Sequence, residues 1–288
     1  MSNQLRIVLD TSIFHDFDRA SNVLRRLRAQ NVIKVYISPM LIDESCRLIF
    51  HNTASNDLRK RLEFILGISS ERWLDDNFDI FKSELSLLPR RKDYQLLRPE
   101  LEKALKDKLQ KIIQGASFDA DSEQRLRQGL ESNERKAVNL RAQGIELRKL
   151  LSENLAHLGK KHKDITENWQ GVRAKTLTQW GIDLIRRKDA YSMVFQMPAT
   201  LIWLMKRSKC PFFCDWAQGM LYSGFYNMKY PNLGIDENAQ ADIQHLIFLR
   251  EVDAIISNET GFMRKAWEDI YAPLGKKYLS ISELEKLG

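Results

Sequence analysis

The sequence predicts an α/β fold with a central, mainly parallel sheet flanked by helices, interrupted by a long α-helical insertion. Three observations lead there. Two short apolar runs near the start, LRIVLD ending at residue 10 and VIKVYI at 32–37, are separated by an amphipathic helical pattern, and a strand–helix–strand unit of this length pairs its strands in parallel. Two more such runs, DAIIS at 253–257 and KYLSI at 277–281, follow a helical stretch near the end. Between about 61 and 190 the chain turns highly charged and leucine-periodic, with no strand signal.

Taken in order, the first strand spans 4–10, and in the stretch DFDRASNVLRRLRAQN after it Phe17, Val23, Leu24 and Leu27 fall on a helical spacing that Asn31 can end. The second strand, 32–37, runs into Ser38 and Pro39, a cap and a first helical residue, so MLIDESCRLIF continues as a helix. Basic clusters at 59–61 and 90–92 flank its exit. Leu97, Leu101, Leu105, Leu109 and Ile113 then recur every fourth residue, GASFDADSE reads as a turn with a fresh cap, and Leu126, Leu130, Leu140, Leu147, Leu151, Leu155 and Leu158 suggest a second long helix. Packing of the two helices on one another within the chain accounts for the leucine stripe. The stripe also fits a seam between two copies, which leaves oligomerisation through the insertion open.

The piece from 191 onward opens with an aromatic and methionine-rich block, including Tyr191, Phe195, Trp203, Phe212, Phe213, Trp216, Tyr222, Phe225 and Tyr226, whose spacing is that of buried helices more than of a base-stacking platform. The expected division is therefore a core domain in two parts, 1–60 and 191–288, with the helical insertion at 61–190 between them.

Composition narrows the function. With 288 residues, 43% hydrophobic and 29% charged, the chain can bury a sizeable core and is not a disordered one. No run of about 20 apolar residues is present, and a strand begins too early for a signal sequence, so the expectation is a cytoplasmic protein with no membrane association. Cys46, Cys210 and Cys214 are too few for a disulfide framework and lack the histidines of a zinc site, and so read as buried thiols. A net charge of +7 favours a polyanionic partner such as nucleic acid. Neither a G-x-x-x-x-G-K nor a G-x-G-x-x-G segment occurs, which leaves nucleotide binding without support.

Carboxylates carry the chemistry. Asp10 ends the first strand, Glu44 lies on the helix after the second, Asp242 on the helix of NAQADIQHLIFL, and Glu259 just after DAIIS. Met40, Leu41 and Leu48 surround Glu44 at helical spacing, so Glu44 points inward, and an inward carboxylate needs a partner. In an open α/β sheet the carboxyl ends of the strands are where distant residues converge. Clustered carboxylates repel and lose hydration, and Mg²⁺ or Mn²⁺ is the compensating charge that all-oxygen ligands suit. Taken one at a time, these acids also serve as a helix cap, an ion-pair partner of Arg47 or Arg25, a dipole-favoured helix charge and a solvated loop residue. An aspartyl-nucleophile phosphatase needs a second Asp where Ser12 stands, and an adhesion-type D-x-S-x-S metal site needs Ser where Phe14 stands.

The ordered set IVLDTS, YISPMLIDE, ADIQHLIFL and DAIISNETGF resembles the PIN domain, a metal-dependent nuclease fold of toxin ribonucleases and RNA-processing enzymes. The resemblance covers the beginning and the end of the chain and no motif between. It implies that Asp10, Glu44, Asp242 and Glu259 form the catalytic and Mg²⁺- or Mn²⁺-binding set, with Thr11, Ser12 and Asn258 in support. The fourth acid is usually Asp in that family, and the longer Glu259 stands here, with Asn258 beside it as a neutral ligand. The function so implied is phosphodiester hydrolysis, RNA before DNA, as an endoribonuclease in a toxin or defence role. Lys160, Lys161, Lys163, Arg186, Arg187 and Lys188 are the expected phosphate contacts. The rival is an inactive PIN-like protein that binds RNA or a regulatory protein partner.

Overall fold

The computed structural model of the chain describes residues 4–50, 55–69, 72–128, 131, 168–186, 196–230 and 239–287. Its strands are β1 (Leu5–Leu9), β2 (Ile33–Tyr36), β3 (Ala254–Ile256) and β4 (Lys277–Leu279), which form one all-parallel sheet in the order β2-β1-β3-β4. Each is shorter than the apolar run that predicted it. The run-end residues have other work: Asp10 and Ser280 cap the helical turns that follow β1 and β4.

Alternation along the strands divides the core in two. Ile7, Leu9, Ile33, Val35, Ala254 and Ile256 face one layer, and Val8, Tyr36, Ile255 and Tyr278 face the other. The first layer holds α1 (Phe17–Ala29), α2 (Pro39–Cys46), α3 (Ser55–Ile68), α5 (Pro99–Ile113), the start of α6 over 120–128, and α12 (Ile281–Glu285). The second holds α4 (Asn77–Glu84), α7 (Trp169–Arg186), α8 (Gln196–Lys206), α9 (Pro211–Lys229), α10 (Ala239–Leu246) and α11 (Phe262–Ala266). Helices on both faces are why the strands read as near-continuous apolar runs.

The local signals act as their chemistry dictates. Ser38 accepts from the Leu41 amide at 3.2 Å with Pro39 as the first helical residue of α2, and Asn31 ends α1 in the left-handed region at φ 57°. Asp119 accepts from the Ser122 amide at 2.8 Å, the fresh cap expected before α6. The aromatic block forms α8 and α9, with Trp203, Phe213, Trp216, Tyr222 and Phe225 buried. Glu84, at the end of α4, caps α9 from outside: its carboxylate accepts from the Phe212 and Phe213 amides at 3.1 and 2.8 Å and from the Tyr94 hydroxyl at 2.8 Å.

The described helices of the stretch read as an insertion lie against the sheet. Leu109 and Ile113 are buried and Leu97 and Leu105 pack against the same core, while Leu101 stays 51% exposed. Leu97 precedes α5 and donates its amide to Trp73 O at 2.8 Å, while the Leu74 amide donates to Ile37 O at 2.9 Å. Leu130 and the leucines from 140 to 158 lie outside the described residues, as do Tyr191 and Phe195. Among the described residues no helix is long and apolar enough to cross a membrane. The three cysteines are free thiols; burial pushes Cys46 up to about 12 and Cys210 up to about 11, which makes them poor nucleophiles.

Candidate metal centre

From β1 the chain moves to β2 on one side and later returns to β3 on the other, so the carboxyl ends of β1 and β3 flank the point where the strand order reverses. Asp10 stands there, 4% exposed, its amide donating to Ile256 O at 3.0 Å. Its Oδ2 accepts from the Ser12 amide at 3.2 Å, from the Ser12 hydroxyl, and from the Ser257 hydroxyl at 2.8 Å. The serines are held in turn: the Asn258 amide donates to Ser12 Oγ at 2.8 Å, and the Glu259 amide and the Tyr278 hydroxyl donate to Ser257 Oγ at 3.0 and 2.9 Å. One carboxylate oxygen is thereby fixed, and Oδ1 is left facing the crevice.

Glu44 enters from α2, half-buried, with the Thr11 hydroxyl donating to its Oε2 at 2.6 Å. The helix α10 packs on α2 and brings His245, whose side chain is 1% exposed. Its Nε2 lies 3.4 Å from Glu44 Oε2 and 3.9 Å from Asp10 Oδ1. One ligand atom from each of Asp10, Glu44 and His245 falls within 4.8 Å of the others. Burial pushes the Glu44 carboxyl up, but the charge and hydrogen bond of His245, the Thr11 hydroxyl and Arg47 outweigh it and hold the group below its ordinary value. Burial pushes His245 down, and Glu44 and Asp10 together overcome that and hold the imidazole above its ordinary value.

Asp242 lies one helical turn before His245 on α10, 9% exposed, and Glu259 and Asn258 are exposed in the loop after β3. Asn258 Nδ2 donates to Ser12 O at 3.4 Å. Asp10, Asp242 and Glu259 all act on Tyr278, whose hydroxyl is raised first by burial and then, against its hydrogen bond with Ser257, by these three charges. The acids of the sequence motifs thus surround one end of the sheet, and the closest group within it is Asp10, Glu44 and His245. Sequence reasoning missed His245. The signal was the D-x-x-H spacing of Asp242 and His245, which sets both on one helix face.

It also looked elsewhere for cations. Lys160, Lys161, Lys163, Arg187 and Lys188 lie outside the described residues, and Arg186 is exposed at the end of α7. Arg47 and Arg61 are the arginines whose charges act on Glu44. Arg61 stacks its guanidinium 4.7 Å from the centre of the Phe14 ring, and the Nε of Arg47 is buried without a partner among the described residues. In the 59–61 cluster Arg59 pairs with Glu63, and in the 90–92 cluster Arg90 and Arg91 hydrogen-bond to backbone carbonyls. A cleft of about 480 Å³ on the other flank of α2 is lined by Arg47, Lys108 and Arg125 beside Asp43 and Asp76.

The donor set fits a divalent cation. Ligands about 2.1 Å from one octahedral ion sit about 3.0 Å from their neighbours, and the observed separations of 3.4 and 3.9 Å need only sub-ångström shifts to reach it. Comparison of the chain with protein-family models, with curated proteins and with solved structures found no match.

Proposed function

We propose that this chain is a metal-dependent nuclease of PIN-like fold that hydrolyses phosphodiester bonds, RNA before DNA. The observation that carries the reading is the convergence of Asp10, Glu44 and His245 at the reversal point of the sheet, with Arg47 and Arg61 acting on the same Glu44. A centre that gathers carboxylates for a cation and borders them with guanidinium groups suits a polyanionic ester.

Asp10 and Glu44 hold the Mg²⁺ or Mn²⁺, and the ion supplies an acidified water and positive charge for the leaving oxygen. Ser12, Ser257 and Thr11 orient the two carboxylates, which keeps the crevice matched to one ion position. Asp242 and Glu259, on the rim, hold a second ion or the waters around the first. Arg61, pinned on Phe14, receives a phosphate oxygen. The net charge of +7 supports binding of the rest of the strand.

The test is incubation of the purified chain with end-labelled single-stranded RNA and matched DNA in Mg²⁺, Mn²⁺ or EDTA, beside Asp10→Asn. Metal-dependent cleavage that the variant loses is the expected result, and the polymer cut names the substrate. Wild type and variant equally inert, with RNA still bound, would favour the binding-protein alternative.

A further inference from the structure

We propose that His245 Nε2 is a direct metal ligand, and that this nitrogen makes the centre select Mn²⁺ over Mg²⁺. The inference rests on the metal-centre reading above and goes beyond its carboxylate ligands.

The argument is geometric. The His245 ring is fully buried, and its Nε2 lies 3.9 Å from Asp10 Oδ1 and 3.4 Å from Glu44 Oε2. An ion held by both of those oxygens stands within bonding reach of Nε2, because an octahedral ion draws neighbouring ligands to about 3.0 Å of one another. The two separations from Nε2 exceed that spacing by less than an ångström, and one atom from each of the three residues lies within 4.8 Å of the others. The ring is also able to accommodate it: Nδ1 has no partner among the described residues, so no protein acceptor fixes the tautomer. To bind a metal, Nε2 releases its proton to solvent, and Nδ1 keeps the ring's remaining proton.

The consequence for selectivity follows from ligand chemistry. Mg²⁺ prefers oxygen donors, keeps much of its water and gains little from imidazole, whereas Mn²⁺, though it too suits carboxylate oxygens, is a first-row transition metal that gains more from an imidazole nitrogen than Mg²⁺ does. Asp10 and Glu44 alone would serve either ion. Asp10, Glu44 and His245 together favour Mn²⁺.

The experiment uses Mn²⁺ itself as the probe. Free Mn²⁺ is counted by electron paramagnetic resonance during titration of the full chain, Mg²⁺ is added in competition, and the bound ion is examined by pulsed resonance for a directly coordinated ¹⁴N. Wild type is expected to show the ¹⁴N coupling and to prefer Mn²⁺ by roughly tenfold or more. In His245→Gln the coupling disappears and the preference collapses toward unity, with Mg²⁺ affinity little changed. Bound Mn²⁺ without ¹⁴N coupling in wild type would overturn this inference and leave the carboxylate centre standing. Absence of any bound Mn²⁺ in wild type would remove the metal-centre reading with it. The wild-type spectrum decides even if the glutamine variant fails to fold.

Discussion

Asp10 is anchored through one carboxylate oxygen, and on the proposed reading the other is its metal ligand. Three donors from Ser12 and Ser257 converge on Oδ2, so the direction of Oδ1 is set before any ligand arrives. Ser257→Ala removes one of them from a buried network, and loss of such a supporting hydrogen bond lowers metal affinity by about 10–100-fold. A Mn²⁺ titration checks this, and an unchanged affinity would deny the serine its orienting role. The sequence showed Asp10 because a buried strand stopping at Asp-Thr-Ser has no packing reason to do so. It hid His245, which sits among Ile243, Leu246 and Ile247 as one more residue of an apolar helix face. Glu84 teaches the same lesson away from the site. Buried and accepting two amides and a hydroxyl, it is pushed up to about 7 because desolvation outweighs its donors. A carboxyl raised in the folded state adds stability that is complete below its ordinary value near 4.5 and is lost as pH climbs to about 7. The loss from this group is on the order of 3 kcal/mol. Denaturant midpoints from acid to mild alkali are therefore expected to fall in wild type and to lose that part of their slope in Glu84→Gln.

At the scale of elements, α10 matters most, since it carries both Asp242 and His245 and rests on α9. Gly219 on α9 makes that approach possible: a Cβ there would come within 2.5 Å of the Ile243 Cγ2. Ile243 is branched at Cβ, so its Cγ2 methyl has little freedom to yield. Gly219→Ala is expected to lose stability, because overpacking costs about 1–3 kcal/mol and helix propensity returns about 1. Gly224→Ala, on the same helix with nothing within 4 Å of the added carbon, is expected to gain stability instead. Urea midpoints of the two variants against wild type distinguish a packing constraint from a general tolerance of α9. α1 was legible from its apolar spacing and α2 from its Ser38 cap with Pro39 at the first helical position. The leucine stripe marks a face without saying what covers it: four of its five residues meet the core under the sheet, and Leu101 meets solvent.

For the whole molecule, parallel topology does what no single motif reveals. The order β2-β1-β3-β4 folds residues more than 240 positions apart, Asp10 and Ser257, into hydrogen-bond contact. The sequence suggested that convergence through strand ends. It did not indicate that helices from 61 onward would build both layers against the sheet, since amphipathic stripes on α3, α4, α5 and α7 look alike whichever face they cover. Of the arginines whose charges act on Glu44, Arg61 belongs to the basic cluster at 59–61, whereas Arg47 stands in no basic run and reaches Glu44 through the fold. If Arg61 takes a phosphate, Arg61→Ala weakens single-stranded RNA binding and reduces the slope of log affinity against log salt by about 0.7. Fluorescence anisotropy at several salt concentrations reads this, and an identical slope would place Arg61 outside the footprint.

The central claim is that a divalent cation belongs among Asp10, Glu44 and His245, and the most direct measurement is the unfolding midpoint as Mn²⁺ is raised. A site present only in the folded chain gains about 2.7 kcal/mol when the free ion reaches a hundredfold excess over its dissociation constant. Wild type is expected to climb steadily with the logarithm of Mn²⁺ while Asp10→Asn stays flat. A flat wild type, or a variant that climbs equally, would contradict the account.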